Sequence, residues 1–134
     1  MQYKEVSSRE IAACKKLYEE AEWLNYLKDE AAFKQMFDNA LYTLGAYDQD
    51  QLVGLVRMIG DNAHILYIQD ILVLKAYRRR GIGRTLLKEA MDKFSHVRQT
   101  VLITDDKDDT RGFYEACGLK KSSDMKIACF VKFR

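Results

Sequence analysis

Hydrophobic and polar positions change rhythm several times along the chain, and each change predicts an element. Alternation at Tyr3 to Val6 predicts a first short strand. It runs into SSRE, where Ser7 and Glu10 have the spacing of a capping box and Val6 and Ile11 that of a hydrophobic staple. A helix is predicted to start there and continue through Leu17 and Tyr18 towards Trp23. A second helix follows from Asp29 as N-cap, with Ala32, Phe33, Met36, Phe37 and Ala40 on its apolar face. The rhythm then shortens. LYTLGAYD and QLVGLVRMIG read as strands joined by a DQDQ hairpin turn, GDNAH as the next turn, and ILYIQDILVL as a central strand. Beyond an arginine- and glycine-bearing stretch, Ile82, Leu86, Leu87, Ala90, Met91 and Phe94 define one face of a helix. QTVLIT is a further strand, DDTRGFYEACG a short helix ended by Gly118, and MKIACFVKF a closing strand. The predicted order is strand, two helices, three strands, helix, strand, helix, strand. That is an α/β fold with a mixed sheet, antiparallel across the hairpins and parallel where helices cross over.

The 134 residues contain no proline, low-complexity tract or repeat, so one domain spanning residues 1–134 is expected. A net charge of +2 gives no polyanion-binding signal for the whole chain, so any basic function must come from clustering. Cys14, Cys117 and Cys129 lie far apart, as do His64 and His96, which suggests neither a disulfide framework nor a metal site. The amino end lacks a signal-peptide core, and no apolar run approaches bilayer-spanning length. A cytoplasmic protein without membrane association is the expectation.

Candidate chemistry centres on VLKAYRRRGIGRTLL, residues 73–87. A strand ending in a glycine-bearing turn that opens a helix presents unpaired backbone N–H groups and the positive end of the helix dipole. Phosphates bind well at such a place, glycine lets backbone approach them, and Arg78, Arg79, Arg80 and Arg84 add charge at the rim. Gly81 and Gly83 fit the first two glycines of a dinucleotide fingerprint, but Leu86 occupies the third place. No Gly-Lys-Ser/Thr follows, which excludes a P-loop. On spacing alone, a helix start with a solvated basic face is the better explanation of the stretch.

Arg78, two residues, Gly81, one residue, Gly83 resembles the acetyl-CoA-binding signature of the GNAT superfamily of N-acetyltransferases. RGFYEACGL, residues 111–119, resembles that family's second motif, and the order of elements fits over nearly the whole chain. RMIGDNAHILYIQDILVLKAYRRRGIG looks like small bacterial members related to aralkylamine acetyltransferases. The resemblance implies a single GNAT-like domain: a mixed, mostly antiparallel twisted sheet flanked by about four helices. It implies acetyl-CoA (coenzyme A) as co-substrate with no metal, and an acceptor that is a small-molecule or peptide amine. Amides of Arg78 to Arg84, Ile82 included, would hold the diphosphate, while Asp70 to Leu74 would pair with the pantetheine arm. Two departures stand out: Lys75 and Ala76 occupy places where many relatives carry proline. Lys107 and Asp108 stand where relatives often carry a cofactor-positioning asparagine, so that contact is not carried over.

Acetyl transfer to an amine needs an unprotonated nucleophile, a donor for the carbonyl oxygen and a proton for the leaving thiolate. A thiol titrates near ~8.5 and a tyrosine near ~10, which makes Tyr114 a credible proton donor. The resemblance assigns it that role, and assigns the oxyanion donor to a strand amide at Leu72 or Val73. Asp70, set in an apolar strand, is open between general base and structural carboxylate. Tyr67, Gln69 or His64 would instead order a water. Cys117 follows Tyr114 by three residues, but nothing in the sequence activates it as an acetyl carrier. Glu19, Glu20, Glu22, Asp29 and Glu30 around Trp23 and Tyr26 suit a cationic amine, and equally suit an acidic helix surface over core aromatics. The expected activity is direct transfer in a ternary complex. A CoA-binding sensor without turnover is the alternative, and nucleic-acid binding through Lys75, the arginines and Lys88 finds no supporting motif. A homodimer is a further implication of the resemblance alone.

Overall fold

The computed structural model describes residues 1–134, which divide into two compact units, Met1–Ile103 and Thr104–Arg134. The first unit runs β1 (Gln2–Glu5), α1 (Ile11–Glu20), α2 (Glu30–Asp38), β2 (Tyr42–Asp48), β3 (Gln51–Gly60), β4 (Ile65–Val73), α3 (Ile82–Lys93) and β5 (Gln99–Leu102). Its five strands form one sheet in sequence order, β1-β2-β3-β4-β5. The first three pairings are antiparallel and only β4–β5 is parallel. The β4–α3–β5 crossover gives the expected parallel pair. β1 and β2 are antiparallel although helices lie between them, because two helical passes reverse the chain where one would restore its direction.

β2 and β3 are buried at nearly every successive position, so both faces of the sheet are covered. Helix α1 packs on β3 and β4, and α3 packs on β2, β3 and β4. α3 seats Ile82, Leu86, Leu87 and Ala90, as its periodicity predicts. Asp29 caps α2, its Oδ1 accepting from the amides of Ala31 at 3.0 Å and Ala32 at 3.1 Å. The capping box at Ser7 does not form. Residues Ser8–Glu10 make a 3-10 turn, Ser7 caps nothing, and the Glu10 carboxylate accepts instead from the Tyr47 hydroxyl.

In the second unit, α4 (Asp108–Ala116) ends at Gly118, whose φ of +91° permits the reversal that lets the Leu119 amide donate to the Tyr114 carbonyl. Arg111 pairs with Glu115 at 2.7 Å and Asp124 at 2.5 Å, and Lys121 pairs with Asp106 at 2.8 Å. The predicted closing strand is absent: residues 126–134 take no regular structure. A strand needs a neighbouring edge for its amides and carbonyls, and strand-forming composition alone does not supply one.

Candidate active site

The site begins where two strands part. β4 pairs with β5 only from Ile65 to Ile68, yet stays paired with β3 to Val73. From Gln69 to Val73, β4 therefore has no strand on its β5 side. Its register against β3 also slips at this point, Arg57 facing Asp70 and Met58 facing Ile68, which leaves Gln69 as the extra residue of a bulge. Alternation would send Gln69 and Asp70 to opposite faces. The bulge brings both to one hydroxyl: Gln69 Nε2 donates to Tyr26 Oη at 3.0 Å, and Tyr26 Oη donates to Asp70 Oδ1 at 2.7 Å. The irregularity expected in this strand thus lies at Gln69, upstream of Leu72 and Val73. Leu72 is buried against the core and Val73 half-buried, its carbonyl accepting from Arg78 Nε at 3.2 Å.

At the end of that open run lies the arginine–glycine loop. Gly81 is the N-cap of α3 with φ +79°, a left-handed conformation that glycine adopts without steric cost. No side chain caps α3 and no carboxylate stands in its first turn, so its leading amides at Ile82, Gly83 and Arg84 face no competing anion. Arg79 also has positive φ, 62°, which a non-glycine residue holds at a cost of roughly 1–2 kcal/mol. Arg78, Arg79, Arg80 and Arg84 are exposed, and Arg80 stacks over Tyr77 at 5.0 Å. Tyr77 is tied to Asp48 at 2.9 Å, which braces the loop against β2. Lys88 instead pairs along its helix with Asp92. Free amides, a helix N-terminus and an arginine rim together suit a phosphate-bearing ligand.

Asp70 is the centre of a buried network. Its Oδ2 accepts from Tyr18 Oη at 2.7 Å and from Arg57 Nε and Nη2, each at 2.7 Å, while Oδ1 accepts from Tyr26. Arg57 stands opposite Asp70 in the β3–β4 register. Burial, with the neighbouring carboxylate, pushes the Tyr18 hydroxyl up, and burial pushes Tyr26 up. Arg57 loses to burial but is raised by its partners. Asp70 is only 1% exposed. Of the two readings open in the sequence, this geometry favours a carboxylate that fixes two tyrosine hydroxyls. Sequence reasoning missed Arg57 and Tyr18. The signal was present as a lone arginine inside the apolar run QLVGLVRMIG.

Glu20, one of the acids proposed around the acceptor, accepts from the Lys75 amide at 2.5 Å and so anchors α1 to the segment after β4. Asp29 is spent on its cap and Glu30 pairs with Lys15. Glu19 and Glu22 are exposed. Trp23, 38% exposed, lies 6.2 Å from Tyr26 between ring centres, so an aromatic face remains open beside the bulge. His64 is a turn residue whose amide donates to Asp61, and Tyr67 is half-buried on β4. In the second unit, Tyr114 is half-buried on α4. Burial pushes its hydroxyl up, with a hydrogen bond to Thr104 pulling the other way. Cys117 sits half-buried just past that helix. No group of three or more His, Cys, Asp or Glu side chains is placed to hold a metal ion. No helix is long and apolar enough to cross a membrane.

The family model for the acetyltransferase (GNAT) domain matches residues 3–133, and the chain belongs to that family. The structure of the GNAT family acetyltransferase SP0256 from Streptococcus pneumoniae TIGR4 is similar at TM-score 0.84 and 28% identity, covering 99% of this chain and 96% of that one. The aminoglycoside N-acetyltransferase AAC(6')-Iy, solved in complex with CoA, shares the fold at TM-score 0.74 and 13% identity, covering 99% of each chain. A Gibberella zeae protein named "Putative acetyltransferase FG08082" is 40% identical over 58 residues, a stretch that spans 41% of this chain and 33% of that protein.

Proposed function

We propose that this chain is one N-acetyltransferase domain that moves an acetyl group from acetyl-CoA to an amine by direct attack in a ternary complex. The observation that carries the reading is the open β4 edge from Gln69 to Val73, leading straight to the uncapped start of α3. An extended pantetheine arm carries amides that pair with a free strand edge, and a diphosphate suits the helix N-terminus at its end. The arginines at 78, 79, 80 and 84 add long-range attraction for that diphosphate. An amide freed at the bulge is the donor for the thioester oxygen, a role preorganised by the strand rather than by a mobile side chain. Tyr114 supplies the proton to the departing thiolate. Asp70 serves the acceptor side through Tyr26, whose hydroxyl donates to the carboxylate, accepts from Gln69 and keeps one lone pair for an amine N–H. The open face of Trp23 beside it suits a cationic acceptor.

Calorimetric titration with acetyl-CoA, followed by thiol release across a panel of amines, tests this reading. Binding with amine-dependent release is expected, and Gly83→Glu should abolish binding by setting bulk and negative charge on the phosphate path. Absence of acetyl-CoA binding overturns it. Binding with no release for any amine leaves a CoA-binding module instead.

A further inference from the structure

Helix α1 ends against the electrostatic rule for helix termini. Its last turn carries Glu19 and Glu20 and no basic residue, although the helix dipole disfavours carboxylates at that end. Glu19 is exposed, so water screens it, but Glu20 is half-buried. The Glu20 carboxylate is directed at a backbone group 55 positions along the chain: its Oε1 accepts from the Lys75 amide at 2.5 Å. That amide opens the 3-10 turn Lys75–Tyr77 and has no backbone acceptor. The turn is the link between the open β4 edge and the phosphate loop. Before it, the Leu74 amide donates to the Val53 carbonyl at 2.9 Å, the last tie of this strand to β3. After it, no amide from Arg79 to Gly81 donates to another backbone group, and Arg79 and Gly81 both have positive φ. Where the loop points therefore depends on how the turn leaves β4.

We propose that Glu20 is a positioning residue for the phosphate loop. By holding the Lys75 amide it fixes the direction in which residues 78–81 leave the strand and so aims the leading amides of α3. Helix α1 runs on directly into Trp23 and Tyr26, so the same carboxylate ties that loop to the side of the site where those rings lie. Service to coenzyme A rests on the acetyl transfer proposed above, whereas the tether itself does not. Two consequences separate a tether from a mere surface charge. An acid beside an arginine-rimmed anion site repels phosphate, so charge alone predicts tighter binding once it is removed. A tether predicts weaker binding. Proline at position 75 should also replace the tether. The first residue of such a turn suits a fixed φ, and the amide that proline lacks is the one Glu20 serves. Leu74 before it, at φ −54° and ψ 140°, already holds the extended conformation that a following proline requires.

Two readouts on the full chain test this: the exchange of the Tyr77 and Arg78 amides in ligand-free protein, followed by NMR, and the affinity for coenzyme A by calorimetry. Glu20→Ala should speed that exchange and weaken coenzyme A binding by roughly tenfold, the worth of one charge-assisted hydrogen bond. Glu20→Gln keeps an acceptor oxygen on the same stem and should leave both near wild type. Adding Lys75→Pro to Glu20→Ala should restore both. Adding Lys75→Ala, which removes the lysine charge but keeps the amide, should restore neither. Glu20→Ala that binds coenzyme A as tightly as wild type or tighter, with unchanged exchange, overturns the proposal. So does a loss that Lys75→Pro fails to repair, because a role confined to the stability of α1 would not answer to a change at position 75. If wild type binds no coenzyme A, the transferase reading falls and the ligand-free exchange pattern alone decides the tether.

Discussion

Tyr114 keeps its proton more firmly than an ordinary tyrosine, because burial opposes the charged form and the Thr104 hydrogen bond offsets this only in part. A general acid must be protonated to act, so a raised hydroxyl moves the alkaline limb of activity upward, beyond about pH 10. kcat/KM for an amine should rise with pH as the amine deprotonates and then stay level. A fall between about pH 8 and 9 would argue against Tyr114 as the acid. Tyr114→Phe should lower kcat by about 10²–10⁴-fold while acetyl-CoA binding is kept. Asp70 answers to a different measurement. Asp70→Asn replaces one of the two acceptor oxygens, which between them take Tyr18, Tyr26 and Arg57, with an N–H donor and leaves Arg57 buried without its counter-charge. Breaking such a pair from one side costs about 3–5 kcal/mol, a fall in Tm of about 10–20 °C. If Asp70 only fixes Tyr26, the folded fraction of the variant keeps the shape of the wild-type pH profile. Loss of the amine-side limb, with binding intact, would make the carboxylate itself the base.

At the scale of elements, the β3–β4 hairpin holds the bulge in register, and its turn depends on one carboxylate. Asp61 Oδ1 accepts from the amides of Ala63 at 2.9 Å, His64 at 2.8 Å and Ile65 at 3.0 Å, which lowers its pKa to about 2. A carboxylate whose folded pKa is depressed stabilises above its unfolded pKa and loses that contribution as pH falls through the folded value. Asp61→Ala should therefore lower Tm at neutral pH, with the gap to wild type closing between about pH 4 and pH 2. Paired thermal melts across that range check it, and a gap that persists at pH 2 would show that the carboxylate charge is not the cause. Elements with strong local patterns were legible in the chain: α3 from its apolar face, α2 from Asp29, and the hairpins from their turn residues. Local spacing misled at Ser7, where Glu10 was drawn away by Tyr47, a residue 37 positions distant. The bulge at Gln69 was not legible, since a bulge is a relation between two strands and leaves no period in either one. The Arg57–Asp70 pair was hidden for the same reason, because only the β3–β4 register sets those two residues opposite each other.

The largest departure from the sequence pattern belongs to the whole molecule. MKIACFVKF has the composition of a closing strand, yet no strand forms there. Composition states what a segment is able to become. Pairing requires an edge, and an edge is not a property of the segment's own residues. The two units should consequently differ in how they resist opening. In the first, Val53, Leu55, Val56 and Met58 of β3 are fully buried, so their amides should exchange with solvent only through global unfolding, at a rate independent of protein concentration. In the second, α4 has no fully buried side chain, Phe113 and Tyr114 being half-buried, and a helix of 9 residues is marginal on its own in water. Amides from Asp108 to Arg134 should then exchange rapidly in dilute protein. Hydrogen exchange followed by mass spectrometry reads both units in one experiment. Exchange in α4 as slow as that in β3 would mean that its half-buried residues hold it as firmly as the core.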